Sequence, residues 1–294
     1  MPESDRVTRA GTAQNSQLVS GYRCCLCKSD QAIALSAETD IARIGPLRRI
    51  VGCRRCGLRS VWPIPSPEDL ALLYTPLTEQ QYVSAGLGYI GGIDTPPERL
   101  KLRLERLERR TRAPRSLLDV GVGSGAFISE AIRRGWHAIG TEFSESTANA
   151  VRRRYSVEVW VGELPDLDLP RESFDVVHMN HVLEHVRDPV RTLRAAGQLL
   201  KPLGILVIEV PQEFRDLAFV VRRLFGKPSF YLMPSQHLWF FEPTTIRNVT
   251  EGAGLVVERI ETFRAGKGVV RRVVGLMEKS LGRGPLIELW AHRR

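Results

Sequence analysis

The chain has 294 residues, of which 43% are hydrophobic and 26% are charged, and this composition excludes an intrinsically disordered protein. The formal net charge of +9 suits an acidic partner such as nucleic acid, an anionic membrane surface or a phosphorylated substrate, without choosing among them. The first twenty residues lack the apolar stretch of a signal peptide, and no uncharged apolar run is long enough to span a bilayer. We therefore expect a cytoplasmic protein with a disordered tail over residues 1–20.

All five cysteines lie near the start of the chain, and four of them form two CxxC pairs. Each pair makes a tight turn that points two thiolates at one place, and two such turns complete a tetrahedral Cys₄ site. We expect residues 21–62 to form a small zinc-ribbon-like module with a structural Zn²⁺, since four thiolates leave no open position for chemistry. Two unrelated reduced pairs are the alternative. The predicted ligands are Cys24, Cys27, Cys53 and Cys56, which leaves Cys25 over.

Residues 63–112 read as a connector with helices. Ser66, followed by Pro67 and by Asp69 three positions on, predicts a capped helix start. A Gly-rich loop follows, and Tyr82 and Tyr89 in this region are candidates for a lid. The charged segment 97–112 predicts an amphipathic helix that packs on the next domain and is otherwise solvated, with a nucleic-acid-binding helix as the alternative.

From residue 113 onwards strands and helices alternate, which predicts a parallel sheet with helices on both faces. The predicted strands cover residues 116–122, 137–143, 157–161, 174–180 and 204–210, and the helices between them cover 126–134, 145–155 and 189–200. Further helices near 216–225, 244–252 and 269–281 and strands at 255–263 and 285–291 follow.

The segment LDVGVGSG, residues 118–125, leaves a strand and enters a helix. Its three glycines allow a sharp turn and close approach of a ligand, and the helix start offers free N–H groups. Asp119 stands before the first glycine, where a carboxylate suits a ligand that carries an ammonium group. Glu142 ends the next strand, where a carboxylate can accept hydrogen bonds from two ribose hydroxyls.

These residues, with the later blocks GTEF, FDVV, VLEHVRDP and LLKPLGILVIEVP in this order, resemble the class I S-adenosylmethionine-dependent methyltransferases over about residues 115–212. The resemblance implies a Rossmann-like, doubly wound α/β sheet of seven strands with an antiparallel last strand, formed by residues 113–294. It implies that Asp119 and the glycines hold the methionine part, Glu142 the ribose, and Glu163 and Leu164 the adenine. The full set of implied cofactor positions is Asp119, Val120, Gly121, Gly123, Gly125, Glu142, Phe143, Glu163, Leu164 and Asn180.

The segment HVLEH, residues 181–185, matches the H-x-x-E-H pattern of zinc peptidases, but it directly follows a strand instead of lying within a long helix. Three roles stay open. His185 can be a general base whose tautomer Glu184 sets. His181, Glu184 and His185 can hold a divalent cation, because the segment is similar to that of quinone-pathway O-methyltransferases. The segment can also be structural. His237, in a His-aromatic block, is a further catalytic candidate.

We expect from this a methyltransferase that acts on oxygen or carbon of a small molecule, a sugar or another secondary metabolite. An RNA methyltransferase that uses the zinc module and the basic surface is the alternative. Against it, the strand ends in Met179-Asn180-His181, where base-amino methyltransferases carry an Asn/Asp-Pro-Pro-aromatic turn. Nucleic acid is therefore not expected as a partner. The basic segment 264–294 is either a solvated face or a membrane-surface contact.

Overall fold

The computed structural model describes residues 18–36, 47–73, 97–215, 237–264, 275–277 and 279–294. Several predictions lie outside the described residues: the tail up to residue 17, the loop with Tyr82 and Tyr89, the helix near 216–225 and most of the basic helix near 269–281. No helix in the part of the chain that the structure describes is both long and apolar enough to cross a bilayer.

The strands, in chain order, are β1 (Ala32–Ala34), β2 (Arg49–Cys53), β3 (Arg59–Trp62), β4 (Ser116–Val120), β5 (His137–Glu142), β6 (Val159–Val161), β7 (Phe174–Asn180), β8 (Leu200–Pro211), β9 (Trp239–Phe240), β10 (Leu255–Phe263) and β11 (Leu286–Arg293). The helices are α1 (Pro67–Leu73), α2 (Pro97–Glu108), α3 (Ala126–Arg133), α4 (Glu145–Tyr155), α5 (Pro189–Leu199) and α6 (Pro243–Gly252). The predicted ends of the larger sheet's strands agree to within two residues, except that β8 begins four residues earlier than expected.

The larger sheet has seven strands in the order β6-β5-β4-β7-β8-β11-β10. β11 runs antiparallel to both of its neighbours, β8 and β10, while β4 to β8 pair in parallel. The predicted α/β fold with an antiparallel last strand is therefore confirmed. Strand order reverses at β4, with β5 on one side and β7 on the other, and in open sheets such a switch point leaves a crevice at the carboxyl ends of the strands.

The smaller sheet has the order β1-β2-β3-β9, with antiparallel pairs throughout. Leu18 forms an isolated antiparallel bridge with Ile33 of β1, so the predicted disordered tail over residues 1–20 is wrong at its last residues. Asp69 and Ser66 form the predicted reciprocal cap at the start of α1, and Asp69 also binds the buried Arg48 at 2.7 Å. This ion pair ties the connector to the small sheet.

The hydrophobic core lies on both faces of the larger sheet. One face, with Leu118 and Val120, continues without a break into Tyr22 and Leu58 of the cysteine-bearing region. The other face is covered by α2 and α3, whose buried side chains include Leu104. The two sheets consequently share one core.

The polar face of α2 is not fully solvated, which corrects the expectation for residues 97–112. Arg103 is 3% exposed and contacts Glu209 of β8 and, at 2.9 Å, Glu288 of β11. Arg99 also reaches Glu209, at 2.8 Å. Burial raises the pKa of these two carboxyl groups, but the charge of Arg103 outweighs it and holds both values below their usual range. The helix therefore places charge inside the protein.

Candidate functional site

A solvent-open pocket with about 890 Å³ of empty space lies at the carboxyl ends of β4, β5 and β7. Eight of the ten predicted cofactor positions line it: Val120, Gly121, Gly123, Glu142, Phe143, Glu163, Leu164 and Asn180. His181 and His185 line the same pocket. The switch point of the sheet and the sequence motifs thus coincide.

The glycine turn shapes one wall of this pocket. Gly121 has a φ of +71°, and a Cβ there would lie 2.6 Å from Cγ2 of Val182, which also lines the pocket. Gly125 has a φ of +76°, caps α3 and would meet the ring of Tyr155 at 2.6 Å. Gly121 therefore keeps the pocket open, whereas Gly125 lies outside its lining and permits close packing of α3 and α4.

The Glu142 carboxylate is held at the end of β5 by three backbone N–H groups. It accepts hydrogen bonds from Gly123 at 3.1 Å, Phe143 at 2.9 Å and Ser144 at 3.1 Å. Burial raises the pKa of Glu142 above its ordinary value, and these donors act in the opposite direction. The carboxylate is thus fixed in place at the pocket wall before any ligand arrives.

Asp119 does not line the pocket, and its predicted contact with the methionine part stays a prediction. Its carboxylate lies 2.7 Å from Nδ1 of His178, whose Nε2 lies 3.0 Å from the guanidinium of Arg103. Because arginine only donates, Nε2 accepts, and Nδ1–H of a neutral imidazole donates to Asp119. Burial lowers the pKa of His178, which agrees with the neutral form.

HVLEH forms a turn after β7 and not a helix, so its residues do not share a helical face. His181 has a φ of 55°, in the left-handed region, and its N–H donates to the Glu209 carbonyl at 2.9 Å. Its Nδ1 lies 3.1 Å from Glu184 and its Nε2 lies 3.5 Å from Glu209. Burial works to lower the pKa of His181, but the two carboxylates outweigh it and raise the pKa to about 10. We therefore expect this half-buried imidazole to carry a positive charge near neutral pH.

Glu184 and His185, at the end of the HVLEH turn, form a second cluster with His237. The rings of His185 and His237 meet edge to face at 4.9 Å, and Nδ1 of His237 lies 2.9 Å from the buried Glu213. Glu184 is fully buried, and its Oε2 has no hydrogen-bond partner among the described residues. Ligand atoms of Glu184, His185 and His237 lie within 4.8 Å of one another. His181 contacts Glu184, but the three residues whose ligand atoms converge are Glu184, His185 and His237, and not the predicted set of His181, Glu184 and His185.

Residues 95–260, more than half of the chain, match the sequence model of a family described as a methyltransferase domain. The chain belongs to this methyltransferase family. With the strand order and the antiparallel β11, the match identifies a class I S-adenosylmethionine-dependent methyltransferase.

Curated relatives of this methyltransferase include a ubiquinone biosynthesis O-methyltransferase from Hahella chejuensis, 33% identical over 34% of this chain and 45% of the relative. Another, from Nitrosospira multiformis, is 27% identical over 54% of this chain and 70% of the relative. A probable S-adenosylmethionine-dependent methyltransferase from Mycolicibacterium smegmatis is 34% identical over 36% and 42%. The matched part thus spans less than half the length of the relatives from Hahella chejuensis and Mycolicibacterium smegmatis.

Two solved structures share the fold of this methyltransferase. A S-adenosylmethionine-dependent methyltransferase from Mesorhizobium loti has a TM-score of 0.51 and 20% identity, and the likeness covers 69% of this chain and all of that one. Phosphoethanolamine N-methyltransferase 2 from Haemonchus contortus, solved with S-adenosylmethionine, has a TM-score of 0.54 and 16% identity over 80% and 62% of the two chains. Both likenesses concern the fold alone.

The four predicted zinc ligands of the methyltransferase come together. The sulfur atoms of Cys24, Cys27, Cys53 and Cys56 all lie within 4.8 Å of one another, with Cys24–Cys56 and Cys27–Cys53 at 3.5 Å. A Zn–S distance of about 2.3 Å places tetrahedral sulfurs about 3.8 Å apart, so the cluster fits one Zn²⁺. Cys25 is not part of the cluster.

Sequence reasoning missed some residues of the site. Leu70 of α1 and Thr192 of α5 contribute to the pocket wall, and Glu213 binds His237. The first two carry no local signal, because only tertiary packing brings α1 and α5 to the pocket. Glu213 follows a strand that ends in Pro211, at the sheet edge where ligands bind, and this position was a usable signal.

Proposed function

We propose that this protein transfers a methyl group from S-adenosylmethionine to oxygen or carbon of a small-molecule acceptor, a sugar or another secondary metabolite. The main support is that eight predicted cofactor positions and His185 line the same pocket. The name of the curated relatives, ubiquinone biosynthesis O-methyltransferase, favours oxygen as the methylated atom.

The residues divide the pocket between cofactor and acceptor. Glu142, Glu163, Leu164, Gly121 and Asn180 all line the pocket. In the proposed arrangement Glu142 would accept from both ribose hydroxyls, Glu163 and Leu164 would border the adenine, and Gly121 and Asn180 would lie at the methionine end. When bound, S-adenosylmethionine supplies a methyl group on a positively charged sulfur. The main task of the protein is to hold the acceptor in line with that methyl group, and positioning of this kind lowers a barrier by up to about 7–11 kcal/mol.

His185 is the proposed proton acceptor for the acceptor hydroxyl or acidic carbon. Its ring lines the pocket, and its Nε2 lies 3.9 Å from Oε1 of Glu184. Burial raises the pKa of Glu184, but the hydrogen bond from His181 and the neighbouring imidazoles hold it below its usual value. Glu184 is thus an anion that stabilises a protonated His185, and such a base contributes about 10²–10⁴-fold to the rate.

A divalent cation is the second role that the geometry favours for this cluster. Glu184, His185 and His237 converge, and Oε2 of Glu184 has no hydrogen-bond partner in the part of the chain that the structure describes. Both observations suit a cation that binds the acceptor oxygens. Titration with Mn²⁺, followed by electron paramagnetic resonance, separates the roles. Binding that is lost in Glu184→Gln supports the cation, and no binding at millimolar Mn²⁺ leaves His185 as the base.

The test of the cofactor site is calorimetry with S-adenosylmethionine. Glu142→Ala removes the proposed ribose acceptor and should weaken binding by at least about 10-fold, since a hydrogen bond to a charged group is worth about 1.5–3 kcal/mol. Glu145→Ala, at the exposed first position of α4, is the matched control. Unchanged affinity in Glu142→Ala would refute the cofactor assignment.

The acceptor is tested by a screen of nucleotide sugars, phenols and RNA with labelled cofactor. A product that gains one methyl group among the small molecules supports the proposal. Methylation of RNA alone, with steeply salt-dependent affinity, would replace it by the RNA reading.

We further propose that Cys24, Cys27, Cys53 and Cys56 hold a structural Zn²⁺. The purified protein should contain one zinc per chain by elemental analysis. Cys27→Ser should lose the metal, and Cys25→Ser should keep it, because the sulfur of Cys25 stands outside the cluster. Equal zinc content in both variants would contradict the ligand set.

A further inference from the structure

The cysteine-bearing sheet is completed by a strand from the far end of the chain. β9 pairs antiparallel with β3, with Arg59 opposite Phe240 and Ser60 opposite Trp239. The N–H of Val61 donates to the carbonyl of Leu238 at 2.8 Å. This ladder begins one residue after His237, so the smaller sheet fixes the backbone beside that imidazole.

The same segment also holds the turn that carries Glu184 and His185. The N–H groups of Leu238 and Trp239 both donate to the carbonyl of Glu184, at 2.7 and 3.1 Å. The indole Nε1 of Trp239 donates to the carbonyl of Val186 at 2.7 Å. Leu238 therefore bonds to β3 through its carbonyl and to the HVLEH turn through its N–H.

The cysteine knuckles are seated directly against the elements around β9. A Cβ on Gly252 of α6 would lie 2.6 Å from Cδ1 of Leu26, which stands between Cys24 and Cys27 in the first knuckle. Arg59, three residues after Cys56, pairs with Glu242 at the start of α6. Leu238 and Trp239 are 1% and 3% exposed. The first knuckle thus packs against α6, which begins three residues after the end of β9.

We propose that the zinc module is a positioning element for the acceptor half of the active site, acting through β3 and β9 on Glu184, His185 and His237. The assignment of these three residues to the acceptor side rests on the proposed function, whereas the structural connection through β3 and β9 does not. The backbone of the glycine turn is held by β5, because the N–H groups of Gly121 and Val122 donate to the Thr141 carbonyl. We therefore expect the module to affect the side of the pocket with His185 and His237 more than the glycine turn.

Amide hydrogen exchange tests the link without an acceptor. Full-length Cys27→Ser, which lacks zinc, is compared with the zinc-bound Cys25→Ser as a matched control. Exchange at Leu238 and Trp239 should accelerate at least about tenfold in Cys27→Ser, while Gly121 and Val122 keep their protection. Unchanged protection at Leu238 and Trp239 would overturn the proposal. Equal loss at all four amides would also overturn it, because zinc would then stabilise the whole fold.

A second variant tests the link with zinc in place. Trp239→Phe keeps the aromatic ring and removes the donor to Val186, and it should lower kcat/KM for the acceptor by about tenfold, with the cofactor Kd within about twofold of wild type. Trp160→Phe, in which the lost donor contacts only the exposed Glu158, is the control. An unchanged kcat/KM in Trp239→Phe would refute the positioning role of the module. The proposed function would be refuted by a different result, namely cofactor affinity that is unchanged in Glu142→Ala.

Discussion

Replacing Arg103 of α2 by Met should remove a large part of the protein's stability. The guanidinium contacts Glu209 and, at 2.9 Å, Glu288, and it donates to Oδ1 of Asn180 at 3.1 Å. The side chains of the two carboxylates are 1% and 6% exposed. Among the described residues, the remaining counter-charges would be Arg99, at 2.8 Å from Glu209 and 3.7 Å from Glu288, and His181, at 3.5 Å from Glu209. The half-exposed Arg106, at 3.4 Å from Glu288, would also remain.

Removal of one partner from a buried ion pair costs about 3–5 kcal/mol. Because Arg99 and His181 compensate Glu209 in part, we expect Arg103→Met to lower the free energy of unfolding by about 3 kcal/mol, measured by equilibrium urea denaturation. Arg110→Met is the control. It breaks a pair with Glu258 whose side chains are 39% and 42% exposed, and such pairs are worth about 1 kcal/mol or less.

Neutralising both carboxylates should restore the stability that Arg103→Met removes. If buried, uncompensated carboxylates cause the loss, then Arg103→Met combined with Glu209→Gln and Glu288→Gln should regain most of the free energy of unfolding. This triple variant also gives a result if Arg103→Met does not fold. A loss in Arg103→Met that lies within about 1 kcal/mol of the Arg110→Met control would refute the reasoning.

Three other predictions concern the pocket. The pKa of His181 is raised from 6.5 to about 10, so the stabilisation from its protonated form is complete below pH 6.5 and is lost as the pH rises through 10. The variant His181→Asn keeps a residue that tolerates the positive φ, and its difference in unfolding free energy from wild type should shrink between pH 6.5 and 10. A difference that stays constant over this range would contradict the prediction. Gly121→Ala should lower the free energy of unfolding, measured in urea, more than Gly254→Ala does. Gly254 is the control because it also has a positive φ but has no atom within 4 Å of an added Cβ. Equal losses would exclude the contact with Val182 as the cause. His185→Gln should lower turnover by about 10²–10⁴-fold at unchanged cofactor affinity in a labelled-methyl assay, whereas near-normal turnover would give His185 a structural role.

The sequence predicts those parts of the fold that depend on residues close together in the chain. β7 and β10 were predicted with the bounds that the structure has, because each is a run of strand-forming residues bordered by turn residues. The glycine turn and the two CxxC pairs were also found in place, since their spacing alone determines what the backbone can do.

Features that depend on distant partners were not predictable in this way. The charge pattern of α2 gave no sign that Arg103 is buried, because Glu209 and Glu288 lie more than a hundred residues further along the chain. The partner of Asp119 followed from the register of β4 and β7, which places His178 on the neighbouring strand. A two-residue strand such as β9 has too short a pattern to be detected from the sequence.

The pairing of β3 with β9 also constrains the order in which the chain folds. During synthesis the cysteine pairs emerge first, yet the strand that completes their sheet is made about 180 residues later. Until then the edge of β3 presents N–H and C=O groups without their final partners, a condition that favours aggregation or chaperone binding. The proposed zinc ligands are thus available early on the ribosome, whereas the finished sheet requires the region around residue 240 to have left it.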